Sequence, residues 1–130
     1  MLSPMLLPAV AGQTELIEAI RITSWTMSPF PRSVPGEEIG LWAGEDVEQI
    51  LALIRELPEG IRMRCFTPGY AIRAHDAEGL LFEIAFCFAC NGTLLLGPDI
   101  PEGLRGIQLF DPDSPPGKEL LRRFRACEQE

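Results

Sequence analysis

The residues of this chain that could do chemistry are concentrated between Arg64 and Cys90. This stretch holds Cys65, Cys87 and Cys90, which are three of the four cysteines, together with the only histidine and the only tyrosine. A cysteine thiolate is both a nucleophile and a metal ligand. The spacing therefore raises three interpretations, which are metal binding, thiol redox chemistry and the packing of small buried thiols.

A zinc site is the first of these interpretations. The Cys87-Phe-Ala-Cys90 motif at a predicted tight turn is similar to half of a zinc knuckle. Cys65 would lie across the hairpin, and either Cys127 or His75 would have to complete a tetrahedron. The candidate metal ligands are Cys65, Cys87, Cys90 and Cys127. Against this interpretation, the chain has no second CxxC, and a continuous strand would point Cys87 and Cys90 to opposite faces.

Thiol redox chemistry and simple packing are the other two interpretations. A redox CxxC usually sits at a helix N-terminus, where its thiolate is stabilised, but this one ends a predicted strand. Four cysteines without a convincing secretion signal indicate a reducing cytoplasm, where thiols rather than disulfides are expected. The pattern therefore favours buried thiols packed among Phe66, Phe86 and Phe88, with zinc binding and redox chemistry as alternatives.

A predicted hairpin over residues 64–90 positions the cysteines. Apolar side chains alternate along its second arm, and the resulting face consists of Phe82, Ile84, Phe86, Phe88 and Cys90. Pro68 and Gly69 interrupt the first arm. That arm should bend there or lie at a sheet edge, because proline gives up a ladder hydrogen bond. The buried face is predicted to include, from the first arm, Phe66, Tyr70 and Ile72.

The register of this hairpin follows from its turn. A three-residue loop ending at Gly79 would pair Asp76 with Leu80. The cross-strand pairs are then Arg73 with Glu83, Ile72 with Ile84, and Tyr70 with Phe86. Opposite charges meet and apolar residues meet, whereas a shift by one residue would turn every side chain to the wrong face.

Periodicity predicts the rest of the fold. A strand over residues 19–25, or a short helix from Thr14, precedes a proline-rich loop over residues 28–38. Apolar residues at helical spacing predict a helix over residues 44–57 and a last helix with Ser114 as N-cap and Pro115 as its first residue. Asn91-Gly92 is predicted to be a two-residue turn, and short strands follow it over residues 93–96 and 106–110.

These elements predict one α+β domain over residues 1–130. We expect an antiparallel sheet of about four to five strands with two helices on one face, in the order β-α-β-β-β-β-α. Residues 1–14 are mildly apolar and interrupted by two prolines. They are expected to be a loose N-terminal arm rather than a secretion signal.

Composition limits the function. The net charge is −8, and residues 1–60 carry nine acids against three bases. This balance repels phosphate backbones, so nucleic acid is not expected as a partner. A membrane is not expected either, since no apolar run approaches the roughly 20 residues of a spanning helix. GxSxG, Walker and HExxH motifs do not occur, which disfavours the corresponding enzyme classes.

The favoured interpretation is a cytoplasmic protein-interaction module without catalysis. Its acidic surface suits a basic protein partner, and an immunity-type protein that neutralises a basic toxin is one concrete form. The alternative is a zinc-binding or thiol-redox protein that uses Cys65, Cys87 and Cys90. The sequence does not predict the oligomeric state.

A resemblance to other proteins rests on the same stretch. Cys65 and Pro68, followed by an alternating arm, a glycine turn and the strand IAFCFAC, resemble a motif in small uncharacterised bacterial proteins. These proteins share a C-x-x-P arm followed by an aromatic strand that ends in CxxC. The resemblance covers residues 64–92. It implies that Cys65, Cys87 and Cys90 belong together, and it implies no activity.

Overall fold

The computed structural model describes residues 5–25, 33–63, 65–98 and 100–128, which form an antiparallel sheet with two helices. The strands are β1 (Leu16–Arg21), β2 (Glu37–Ala43), β3 (Tyr70–Asp76), β4 (Gly79–Cys87), β5 (Gly92–Leu96) and β6 (Ile107–Leu109). The helices are α1 (Glu45–Glu56) and α2 (Pro115–Glu128), and short 3-10 turns cover Ala9–Gln13 and Glu102–Leu104. The six strands lie in the order β2-β1-β3-β4-β5-β6. The α+β class is confirmed, with more strands than expected.

Strand β2 is the element that the sequence analysis missed. The predicted loop was to continue through Glu38, but β2 begins at Glu37 and pairs with β1. As an edge strand with an irregular register near Ala19, β2 has no alternating pattern of burial that periodicity could detect. The observed order is therefore β-β-α-β-β-β-β-α. Residues 28–32 of the predicted loop lie outside the described residues.

The β3–β4 hairpin confirms the predicted register in its body but not at its turn. The pairs Arg73 with Glu83, Ile72 with Ile84, and Tyr70 with Phe86 are all present. At the turn, however, Asp76 pairs with Gly79 rather than Leu80. Leu81 is then the extra residue that restores the register, as in a β-bulge. The Asp76 carboxylate accepts hydrogen bonds from the backbone N–H groups of Glu78 and Gly79 at 2.8 and 3.1 Å. These bonds stabilise the turn that joins Asp76 to Gly79.

The first arm of the hairpin is shorter than predicted. Strand β3 begins at Tyr70, directly after Pro68 and Gly69. It lies between β1 and β4, so it is a central strand and not an edge. The edge-strand alternative is therefore wrong, and the proline and glycine precede the strand instead of lying within it.

The two faces of the sheet carry different layers. On the helix-covered face both helices pack over an apolar core that includes Ile17, Ile72, Phe82, Ile84, Phe86, Leu120 and Phe124. On the loop-covered face a smaller cluster consists of Ile20, Ile22, Val34, Ala71, Ala85, Leu94 and Leu96, with Trp25 and Phe66 packed against it. The prediction that Phe66 shares the face of Ile84 is therefore wrong. Phe66 precedes β3, so strand alternation does not govern its direction.

The helices follow their predicted boundaries closely. Helix α1 starts after Gly44 and buries an apolar stripe that includes Val47 and Ile54. Helix α2 starts at Pro115. The Ser114 hydroxyl oxygen accepts a hydrogen bond from the Gly117 N–H at 3.2 Å, as expected of an N-cap.

The N-terminal segment, expected to be a loose arm over residues 1–14, contacts the domain from Met5 onward. The Met5 N–H donates to the Leu57 carbonyl at 3.1 Å, and the Leu6 backbone exchanges two hydrogen bonds with the Gln108 side chain. Met5 and Ala11 belong to the core of the helix-covered face. Residues 1–4 lie outside the described residues.

Candidate functional site

Three of the four candidate cysteines meet where β4 ends. Cys87 is the last residue of β4, Cys90 lies in the connection to β5, and the two form a disulfide. The Cys65 Sγ atom lies 3.2 Å from the Cys90 Sγ atom. Cys65, Cys87 and Cys90 are referred to below as the three-cysteine site. The expectation of thiols rather than disulfides is wrong for Cys87 and Cys90.

The connection between β4 and β5 brings Cys87 and Cys90 together. A two-residue turn at Asn91-Gly92 was predicted, but Cys87 pairs with Gly92 and residues 88–91 form the turn. The Cys90 N–H donates to the Cys87 carbonyl at 3.3 Å, and Asn91 takes a positive φ of 56°, which asparagine tolerates. Because the strand ends at Cys87, alternation no longer sends the two sulfurs to opposite faces.

Contacts on both sides of Cys65 place its segment over this turn. The Asn91 Nδ2 group donates to the Ile61 carbonyl at 3.0 Å, and the Gly69 N–H donates to a β4 carbonyl at 3.2 Å. Between them, the Phe66 ring lies against Gly92, where an added Cβ would be 3.4 Å from a ring carbon. The Phe66 ring therefore packs on β5 at Gly92, and it follows directly on the cysteine that lies beside Cys90.

The three sulfurs differ in their access to water. Cys87 is 1% exposed and Cys90 is 4% exposed, whereas Cys65 is exposed. A reactant in solution can therefore reach Cys65 directly, while the disulfide is shielded. Of the cations that could accompany a reactive thiol, Arg64 lies outside the described residues, and Arg73 pairs with Glu83.

The structure places Cys127 away from the three-cysteine site. Cys127 lies in α2, on the helix-covered face, where an added Cβ at Gly40 of β2 would be 2.7 Å from its sulfur. Strands β1 and β3 separate β2 from β4, a distance of about 14 Å at the usual strand spacing. Cys87 follows Phe86 in β4 and so points to the opposite, loop-covered face.

The other candidate fourth ligand, His75, is also elsewhere. Its Nε2 atom contacts the carboxylate of Glu18, which belongs to β1. Strand β1 pairs with β3 on the side away from β4. Among the described residues, no group of three or more His, Cys, Asp and Glu side chains is arranged to hold a metal ion. The zinc site therefore stays a prediction.

A cavity of about 490 Å³ adjoins the turn that carries Cys90. It shares Ile61 and Asn91 with the contacts that hold the Cys65 segment. Its other lining residues are Glu59, Gly60, Asp111, Pro112 and Asp113. Three carboxylates therefore line a cavity next to the three-cysteine site, and none of the described residues in its lining is basic.

A buried ion pair forms a second polar group on the loop-covered face. Glu83 is 1% exposed and accepts hydrogen bonds from Arg73 Nε at 2.9 Å, Ser33 Oγ at 3.0 Å and the Val34 N–H at 3.3 Å. Arg73 also donates to the Val34 carbonyl at 2.6 Å. The predicted cross-strand ion pair is confirmed. It fastens the segment around Val34 to the sheet, which is a structural role.

Sequence reasoning missed a cluster of acids beside this pair. Glu18 of β1 hydrogen-bonds to Glu38 of β2, and this contact raises the pKa of Glu38 above its usual value. Glu18 also contacts His75. The cluster could not be found without β2, since that strand brings Glu38 next to Glu18.

Within the described part of the chain, neither helix is long and apolar enough to cross a membrane. The resemblance of residues 64–92 to small bacterial proteins stays a prediction, although the three cysteines that it groups do lie together. No protein-family model, curated protein or solved structure matches the chain.

Proposed function

We propose that the three-cysteine site carries out thiol–disulfide exchange, with Cys65 connecting solvent to the buried Cys87–Cys90 disulfide. The observation that supports this most directly is the 3.2 Å between the Cys65 and Cys90 sulfurs. Exchange requires a thiolate in contact with a disulfide sulfur. The pair is held in contact before any reaction, so the exchange gains the rate advantage of an intramolecular step.

The exchange begins at the exposed cysteine. Cys65 loses its proton to water, and the thiolate attacks the Cys90 sulfur. The Cys65–Cys90 bond forms, the Cys87–Cys90 bond breaks, and the electron pair leaves on Cys87, which takes up a proton. This step consumes no net electrons, but it moves the disulfide from a buried pair to one that includes an exposed sulfur.

An external dithiol completes the reaction. One of its thiolates attacks the Cys65 sulfur, and its second thiol resolves the mixed disulfide. The dithiol leaves as a disulfide, and the protein holds three thiols. The cytoplasm is the proposed compartment, because disulfides there are usually transient and belong to catalytic or redox-sensing sites.

The test is the rate at which dithiothreitol reduces the oxidised protein, followed by alkylation and mass spectrometry. Cys65→Ser should slow reduction of the Cys87–Cys90 bond by about tenfold or more, because the reductant must then reach a shielded sulfur. Cys127→Ser is the matched control, and its Cys87–Cys90 bond should be reduced at the wild-type rate. When the Cys87→Ser variant is oxidised, Cys65 and Cys90 should form a disulfide with each other. Equal rates in wild type and Cys65→Ser would contradict the proposal.

A second candidate function is a module that binds a basic protein partner without catalysis. The observations that favour it are the net charge of −8 and the cavity lined by Glu59, Asp111 and Asp113. A concave surface of one charge sign raises the association rate of an oppositely charged partner. An immunity-type role against a basic toxin would use this surface.

The second candidate is tested by retention of proteins from native lysate. Glu59 and Asp113 are exposed, so a Glu59→Lys/Asp113→Lys variant should fold. The wild type should retain a basic protein at low salt and release it as salt screens the charges. The variant should not retain it. Recovery of no partner, together with turnover in a broad substrate screen, would exclude this candidate.

A further inference from the structure

We infer that the reduced three-cysteine site binds Zn(II) through Cys65, Cys87 and Cys90, with the fourth coordination position open to solvent. This inference rests on the proposed function in one respect, which is that the Cys87–Cys90 disulfide can be reduced. It goes further in naming a ligand that the reduced form would hold. It also replaces the predicted four-cysteine site with one that has three protein ligands.

The described residues of the oxidised form hold no group arranged for a metal ion, but the sulfurs of Cys65 and Cys90 need little movement to share one. Two thiolates on one tetrahedral zinc, each at about 2.3 Å from the metal, lie about 3.8 Å apart. Cys65 and Cys90 are 3.2 Å apart, so they need to separate by only about half an ångström. Reduction removes the bond between Cys87 and Cys90 and lets them separate likewise. Their CxxC spacing at a tight turn is the one that zinc sites use.

The fourth position points to water because of where the other candidates lie. Cys127 packs beside Gly40 on the opposite face of the sheet, and His75 contacts Glu18. Cys65 is the exposed member of the three, so solvent reaches the site on its side. Three protein ligands and a water molecule is the arrangement that zinc adopts in open sites.

Zinc binding and the disulfide exclude each other. In the oxidised form that the structure describes, two of the three sulfurs are bonded together, so they cannot serve as thiolate ligands. An external disulfide would convert the zinc form to this one. Two electrons pass from the Cys87 and Cys90 thiolates to that disulfide, which leaves as two thiolates that take up protons from water. The Cys87–Cys90 bond forms, Zn(II) is released to solvent, and the Cys65 thiolate takes up a proton from water.

Charge favours zinc as the ligand of the reduced form. Three converging thiolates would carry three negative charges at a site where Cys87 and Cys90 are shielded from water. A dication offsets two of these charges, which allows the thiols to ionise. Thiolate-rich sites with tetrahedral geometry select zinc over the hard cations.

The experiment uses the full chain, reduced and freed of metal, in competition with a chromophoric zinc chelator. Wild type should bind one equivalent of Zn(II), and Cys127→Ser should bind it equally well. Cys65→Ser should bind about a hundredfold more weakly, because it loses one of the three ligands. Oxidised wild type should bind none. Co(II) in place of zinc should give the visible absorption of a tetrahedral thiolate site.

A second measurement does not depend on the variants. Saturating zinc should protect Cys65, Cys87 and Cys90 of the reduced wild type from iodoacetamide, and it should leave the labelling of Cys127 unchanged. No zinc binding by reduced wild type would overturn the inference, as would equal affinity in Cys65→Ser or loss of binding in Cys127→Ser. The reduction-rate assay is run with a chelator present, so it reports on the exchange whether or not zinc binds.

Discussion

The two faces of the sheet are held by different kinds of interaction. On the helix-covered face, large apolar side chains such as Ile84 and Phe124 are fully buried and contact one another without directional requirements. On the loop-covered face, the Glu83–Arg73 ion pair and the three-cysteine site join loops to the sheet beside a smaller apolar cluster. Periodic elements therefore provide most of the buried core, whereas the reactive groups lie where loops meet the sheet.

The largest effect is expected from a charge on the helix-covered face. Ile84 is 0% exposed at the centre of β4. Ile84→Asp would bury an unpaired carboxylate and should cost several kcal/mol, enough to unfold the domain. Leu80→Asp is the matched control in the same strand, since Leu80 is 40% exposed and should tolerate the change. Thermal melting followed by circular dichroism compares them, and a stable Ile84→Asp variant would show that the faces are assigned backwards.

A smaller and more local effect is expected on the loop-covered face. Glu83→Gln keeps the shape of the side chain but leaves Arg73 without its counter-charge, which should cost about 2 kcal/mol. The amide of Val34 should exchange faster with solvent, because Glu83 accepts its hydrogen bond. Arg73→Gln/Glu83→Gln should cost less than the sum of the single changes, since both remove one interaction. Strict additivity would show that the pair contributes nothing as a unit.

The same difference between faces explains what the sequence could predict. The body of the hairpin and both helices follow periods of two or 3.6 residues, so Ile84 and the register around Arg73 were found correctly. The sulfurs of Cys65 and Cys90 meet across a sequence separation of 25 residues. Their contact depends on where β3 begins and on the turn before Gly92, and periodicity encodes neither. The fold class was therefore predictable, while the disulfide and the position of Cys127 were not.

The backbone of β2 closely approaches α2 on the helix-covered face, where Gly40 lies against Cys127. An added Cβ at Gly40 would lie 2.7 Å from the Cys127 sulfur, closer than atoms pack. Gly40→Ala should therefore destabilise the protein by about 1 kcal/mol, as expected of overpacking. Introducing Gly40→Ala into a Cys127→Ala background should cost less, because the sulfur is gone. Equal costs in both backgrounds, measured by denaturant unfolding, would place Cys127 away from β2 and reopen it as a ligand of the three-cysteine site.

The smallest effect is expected from an ion pair on the outer surface of α2. Hydrogen bonds from Arg122, and to a smaller extent from Arg123, hold the pKa of Glu119 at about 2, below its usual value. Because the pKa is lowered in the folded state, the carboxylate contributes stability above the pKa that glutamate has in the unfolded chain. This contribution is lost as the pH falls toward about 2.

The measurement that distinguishes this surface pair from the buried one is melting against pH and salt. Wild type should melt slightly above Glu119→Gln at neutral pH, and the difference should vanish as the pH falls toward about 2. High salt should also remove it, since exposed charges are screened. The difference between wild type and Glu83→Gln should persist in salt, because Glu83 is 1% exposed. A Glu83→Gln effect that salt abolishes would mean that the Glu83–Arg73 pair contributes no more than a surface ion pair does.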